Sequence, residues 1–93
     1  MAITTPTVRH NPAAQRFERG SEDALAVAEY QREGNRVIFT HTFVPPEMRT
    51  QGLAASLART ALDWARAEKL KVVAECSYIA RFIKRHPEYH DLL

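Results

Sequence analysis

Residues 36–54, RVIFTHTFVPPEMRTQGLA, hold a strand, a stop, a loop and a helix start in succession. Residues 36–44 are almost entirely β-branched or aromatic, which suits a pleated, packed surface. Strict alternation puts Val37, Phe39, His41 and Phe43 on one face and Ile38, Thr40, Thr42 and Val44 on the other. Apolar groups on both faces point to a central strand. Pro45-Pro46 ends it, because two successive residues lack ladder donors. The loop then enters a helix through Arg49-Thr50-Gln51-Gly52-Leu53-Ala54. Free amides at a helix start converge on one concavity, and the helix dipole favours negative charge there. Gly52 lets a ligand approach the backbone, Ala54 is small, and Arg49 adds a permanent charge with bidentate donors. Those features suit a pyrophosphate. The same six residues also fit an ordinary helix start with a tightly packed glycine.

Working outward, Leu53, Leu57, Ala61, Leu62, Trp64 and Ala65 recur at three- and four-residue spacing, which predicts a helix over 51–68. Residues 70–76, LKVVAEC, read as a second buried strand, and residues 78–85 as a second helix with Ile79, Phe82 and Ile83 inward. A helical crossover between strands 36–44 and 70–76 makes them a parallel pair in one sheet. Upstream, residues 24–31 form a strand that meets 36–44 through a Gly34-Asn35 hairpin turn. Short strands at 8–10 and 15–18 flank an Asn11-Pro12 turn. Pro87 interrupts the last helix, and EYHDLL docks on the core. The fold class is α+β to α/β: a mixed, mostly antiparallel sheet with one parallel pair and two main helices.

With 93 residues and a 45% hydrophobic fraction, the chain is one small domain over residues 8–93 behind a flexible start at 1–7. Thirteen basic against 11 acidic residues are too balanced for charge-driven nucleic-acid binding. No apolar run approaches the ~20 residues of a membrane span, and the first residues lack the apolar core of a secretory signal. One cysteine excludes an internal disulfide or a multi-cysteine zinc site and fits a reducing, cytoplasmic setting. His86 and His90 have helical ligand spacing, but Pro87 lies between them and no third ligand is evident, so no metal is expected.

The segments RFE at 16–18, HTFVPPEMRTQGLA at 41–54, ECSY at 75–78 and HPEYHDLL at 86–93, taken in order, resemble the GCN5-related N-acetyltransferase superfamily. The likeness is to its very short, single-domain branch of about 90–110 residues. The loop matches the Gln/Arg-x-x-Gly-x-Gly/Ala signature; Thr50 departs from the Gly more common in this branch. The resemblance implies a minimal acetyltransferase fold, splayed between strands 36–44 and 70–76. It implies acetyl-CoA as co-substrate, with its pantetheine arm held by the backbone of Phe43 and Val44. Its pyrophosphate would lie on Arg49, Thr50, Gln51, Gly52, Leu53 and Ala54. Arg81, Lys84 and Arg85 form a basic turn that could meet the ribose 3′-phosphate, Lys84 among them, or simply be a solvated face.

Three residues are candidates for the chemistry. Cys76 ends the strand flanking the cofactor thiol and reads as a nucleophile, a proton relay or an inert buried thiol. His41 titrates near neutrality and could serve as general base beside Cys76, or be a packed strand residue. Tyr78 stands where larger relatives place the acid that protonates the leaving thiolate; a packed Tyr with its hydroxyl at the surface fits equally. Glu47 could orient an amine. Only short turns precede residue 45, so the acceptor face is open, suited to an amine on a larger molecule. A non-catalytic CoA-binding module is the other reading. A monomer, or a weak homodimer through the sheet edge, is expected.

Overall fold

The computed structural model describes residues 8–21 and 24–93. The flexible start expected over 1–7 lies outside them, as do the side chains of Ser21, Arg49, Thr50 and Gln51. Five strands form one sheet in sequence order: β1 (Arg9–Asn11), β2 (Arg16–Ser21), β3 (Ala24–Glu33), β4 (Arg36–Phe43) and β5 (Lys71–Ala74). The first four pair antiparallel, and β4 and β5 pair parallel. Helix α1 (Leu53–Ala67) crosses between β4 and β5, and α2 (Ser77–Arg85) follows β5. A 3-10 turn over Pro87–Leu92 closes the chain. The mixed sheet, parallel pair and two helices are those expected.

The long helix opens at Leu53 rather than Gln51, because Pro46–Gln51 winds into a 3-10 turn that ends on Gly52 at φ 66°. That left-handed conformation costs Gly little and breaks the helical run one residue short of α1.

The core lies on one face of the sheet. Phe17, Ala26, Ala28, Tyr30, Val37, Phe39 and Val72 turn toward the helices. Leu53, Leu57, Ala61 and Leu62 of α1, Ile79 and Ile83 of α2, and Tyr89 and Leu92 meet them in a single cluster. Each fully buried aliphatic or aromatic side chain contributes about 1.5–3 kcal/mol by leaving water. The small Ala26 and Ala28 let α1 approach β3 closely, and Trp64 fills the space beside Tyr30, with ring centroids 5.0 Å apart. Ile38 is buried outside this cluster, on the opposite face. That face also presents Leu25, Val27, Glu29, His41 and Phe43, and among the described residues no helix packs on it.

Strict alternation fails in β4. Glu29 pairs with His41 but Tyr30 pairs with Phe39, so β4 spends one extra residue, Thr40, against β3. This β-bulge reverses the facing of everything after it. Val37 and Phe39 face the helices as expected. His41 and Phe43 turn to the opposite face, and Thr42 takes the helix side.

Candidate active site at the parting of two strands

β4 and β5 are paired from Arg36↔Lys71 to Phe39↔Ala74, and there the ladder stops. The Phe39 carbonyl accepts from two successive amides, Glu75 at 3.0 Å and Cys76 at 2.8 Å. These two bonds end β5 and turn the chain into α2, with Cys76 at its N-cap. β4 continues through residues 40–43 without a β5 partner. The bulge at Thr40 lies next to the point where the β4–β5 ladder ends, and bulges are places where a strand bends. The wedge between the strands is therefore built by a one-residue insertion on one side and a helix start on the other.

Cys76 sits at the apex of this wedge. It is 8% exposed, and its thiol donates to Thr42 Oγ1 at 3.4 Å. The first-turn amides of α2 open at Cys76, whose own side chain makes no capping bond to them. His41 is exposed and stands on the other face of β4, opposite Glu29. The expected pairing of His41 with Cys76 across parallel strands is thus not formed, and Thr42 takes the position beside the thiol.

Tyr78, in the first turn of α2, is half-buried. Burial pushes its hydroxyl above the usual phenol range, the nearby Cys76 adds to this, and Arg85 opposes it. Tyr78 lines a groove of about 290 Å³ between α1 and α2 that is walled by Ala55, Arg59, Phe82, Arg81, Arg85 and His86. Tyr78, Arg81, Phe82 and Arg85 share one side of α2 at helical spacing. Lys84 is exposed and not among the lining residues. Arg59, which the sequence reading passed over, completes the groove from α1. It lies over the Phe82 ring at 5.6 Å and pairs with Glu88 at 3.6 Å. Its i, i+4 relation to Ala55 beside the glycine loop was the available signal. His86 stacks on Phe82 at 3.9 Å, and its Nδ1 lies 2.7 Å from the Phe82 carbonyl. Among the described residues no three potential metal ligands cluster.

The loop from β4 to α1 ends beside this groove. Phe43 is 42% exposed at the end of β4, and Val44 packs partly against the core. Gly52 is exposed, and a Cβ there would meet nothing within 4 Å. Gly52 is left-handed, at φ 66°, between the 3-10 turn and the first turn of α1. Leu53 is 1% exposed, so its backbone amide, not its side chain, is what it can offer a ligand. Ala54 is half-buried and Glu47 exposed. The side chains of Arg49, Thr50 and Gln51 fall outside the described residues. Among the described residues no helix is long and apolar enough to cross a membrane.

Residues 16–92 match the family described as GCN5-related N-acetyl-transferase. Protein NATD1 of Mus musculus is 36% identical over 84 residues, covering 86% of this chain and 76% of that protein. Protein NATD1 of Homo sapiens is 40% identical over 63 residues, covering 67% of this chain and 56% of that protein. The solution structure of a GCN5-like protein from Staphylococcus aureus superposes with a TM-score of 0.77 at 25% identity, covering 97% of this chain and 89% of that one. The chain therefore belongs to the GCN5-related N-acetyltransferases, a family of enzymes.

Proposed function

We propose that the protein transfers an acetyl group from acetyl-CoA to an amine carried on a larger molecule, with the reaction centred on Cys76. The observation that carries the reading is the wedge between β4 and β5, with a buried thiol at its apex and a cationic groove beside it. The chain's features fit acetyl-CoA. Residues 40–43 of β4 have no β5 partner, an arm with amide groups could pair along that strand, and the Gly52 backbone is open. Arg59, Arg81 and Arg85 offer charge to phosphates. Acetyl-CoA supplies the activated thioester.

The chain's residues then have separable tasks. The main-chain amides from Gly52 to Ala55 and the groove arginines orient the ligand. Thr42 fixes the Cys76 side chain. Cys76 either loses its proton to solvent and takes the acetyl group, its Sγ forming the new carbon–sulfur bond as the CoA thiolate leaves, and then yields the acetyl group to the amine while the amine's proton returns to Sγ, or it passes a proton only. Tyr78 stays protonated across the physiological range and holds the proton a departing thiolate needs. The helix-free face of the sheet leaves room for a bulky acceptor.

A second reading, a CoA-binding module without turnover, draws on one observation: His41 is turned away from Cys76. Incubation with acetyl-CoA, followed by intact-mass and peptide mass spectrometry, tests the first reading. An acetyl thioester on Cys76, absent in Cys76→Ala, supports the nucleophile. Turnover of an amine panel without that adduct, and lost in Cys76→Ala, supports the relay. Binding by calorimetry with no acetylated amine would transfer the conclusion to the binding module, and full activity in Cys76→Ala would sink the role of the thiol.

A further inference from the structure

We propose that the protein carries a second anion site, on the flank of α1 that adjoins the cationic groove at Ala55 and Arg59, that takes a phosphate group through Arg19. Arg19 lies in β2 on the helix-bearing face, two residues from the buried Phe17, and is only 9% exposed. Among the described residues it has no hydrogen-bond or ion-pair partner. The contrast with its neighbours is sharp. Arg9 and Arg16 both reach Glu18, and Arg32, Arg36, Arg59 and Arg66 each have a carboxylate. Glu18 precedes Arg19 in sequence, but the pleat puts it on the opposite face, where Asn11 also donates to it. Among the described residues no fully buried side-chain nitrogen lacks a partner, so the Arg19 guanidinium meets solvent at the groove, where a ligand can reach it.

What Arg19 faces is a groove of about 370 Å³ shared with Val8, Ser56, Arg59, Thr60 and Asp63. Ser56 and Thr60 stand one helical turn apart on α1 and bring two hydroxyls to the same side. Asp63, at the far end, already accepts from the Tyr89 hydroxyl at 2.8 Å. Two guanidinium groups and two hydroxyls against one engaged carboxylate suit a tetrahedral oxyanion. Arg19 can bind it bidentately and the hydroxyls can take the remaining oxygens. The first turn of α1 adds its dipole. Arg81 and Arg85 have no part in this groove, while Arg59 and Ala55 line both grooves, so competition with CoA separates this site from the cofactor site. A free phosphate and a phosphorylated side chain of a protein partner present the same group.

The test follows the backbone amides of Ser56 and Thr60, together with the Arg19 Nε–Hε resonance of the parent, by NMR as inorganic phosphate, and separately O-phosphoserine, is added at low ionic strength. Saturable shifts at Arg19, Ser56 and Thr60 are expected, with those at Ser56 and Thr60 lost in Arg19→Gln and all of them unchanged in Arg81→Gln. Tighter binding of O-phosphoserine assigns the site to a phosphorylated partner, and tighter binding of inorganic phosphate to the free ion. Arg19→Lys keeps the charge but not the fork, which preserves folding if the Gln variant fails; it should bind about tenfold more weakly. Three results would overturn the proposal: linear, non-saturating shifts; wild-type binding by Arg19→Lys; or displacement of phosphate from Arg19 by CoA together with weaker CoA binding in Arg19→Gln, which would make the groove part of the cofactor site.

Discussion

The Cys76 thiol meets the Thr42 hydroxyl at 3.4 Å across 34 residues of sequence. The contact exists only because Thr40 is the extra residue in β4. Without the bulge's reversal of facing, His41 would stand on the helix side and Thr42 on the other. Thr42 is therefore a positioning residue for Cys76. Thr42→Val keeps the shape but removes the acceptor. The expected result is a fall in kcat on the order of fivefold, corresponding to about 1 kcal/mol, with KM for acetyl-CoA unchanged. Thr42→Ser should restore the rate. Equal rates for the Val variant and the parent would remove Thr42 from the mechanism.

Deleting Thr40 examines the wedge itself. The deletion leaves Phe39, His41 and Thr42 facing as they now do but lets the β3–β4 register run without interruption, so β4 loses its bend. The separation from β5 should then narrow. Affinity for acetyl-CoA, measured calorimetrically, should drop by two orders of magnitude or more, on the scale of about 3 kcal/mol of lost main-chain contacts. Circular dichroism verifies that the sheet survives. A folded deletion variant with parental affinity would show that something other than the bulge parts the strands.

The element order was legible in the sequence because its signals are local and consistent. β-branched runs, the double proline, the Gly34-Asn35 turn and the α1 stripe each name their element without tertiary help. The parallel pairing followed from the crossover. The bulge was not legible, since RVIFTHTFV reads as unbroken alternation and Thr is tolerated on either face. That single residue decides whether His41 or Thr42 stands next to Cys76. Arg59 escaped for a different reason. It lies on the polar side of α1, where a charge ordinarily signals solvent, and its role is visible only once α2 lies alongside. Lys84 was drawn in with Arg81 and Arg85 by adjacency in sequence, whereas of the three only Arg81 and Arg85 line the groove.

That difference in lining makes a sharp comparison. Arg81→Gln and Arg85→Gln each remove a groove charge, and each should raise the dissociation constant for acetyl-CoA about fivefold at low salt, with less effect at high salt as exposed charges are screened. Lys84→Gln removes the same charge from outside the groove and should change affinity less than twofold. A salt titration of binding for all three variants checks this. A Lys84 effect as large as that of Arg81 would mean that net charge, not the groove, attracts the ligand.

Acid stability should report on Glu18. Its side chain is 11% exposed and lies 2.6 Å from Arg16 and 3.6 Å from Arg9, with Asn11 donating at 3.0 Å. The Arg16 and Asn11 hydrogen bonds hold its carboxyl below the usual glutamate value of 4.5, against the opposing effect of burial. A depressed carboxylate stabilises the fold fully above its unfolded pKa. That contribution is lost as pH falls through the lower, folded value, because the unfolded chain then binds the proton first. The protein should therefore lose stability steadily below about pH 4.5. Glu18→Gln should be less stable at pH 7 by about 1–2 kcal/mol, since charge-assisted bonds become neutral ones, and its denaturation midpoint should fall less steeply with acid. Urea melts of both proteins from pH 7 to 3 measure the two slopes. Parallel slopes would show that the β1–β2 cluster of Arg9, Asn11, Arg16 and Glu18 does not set the acid limit of the fold.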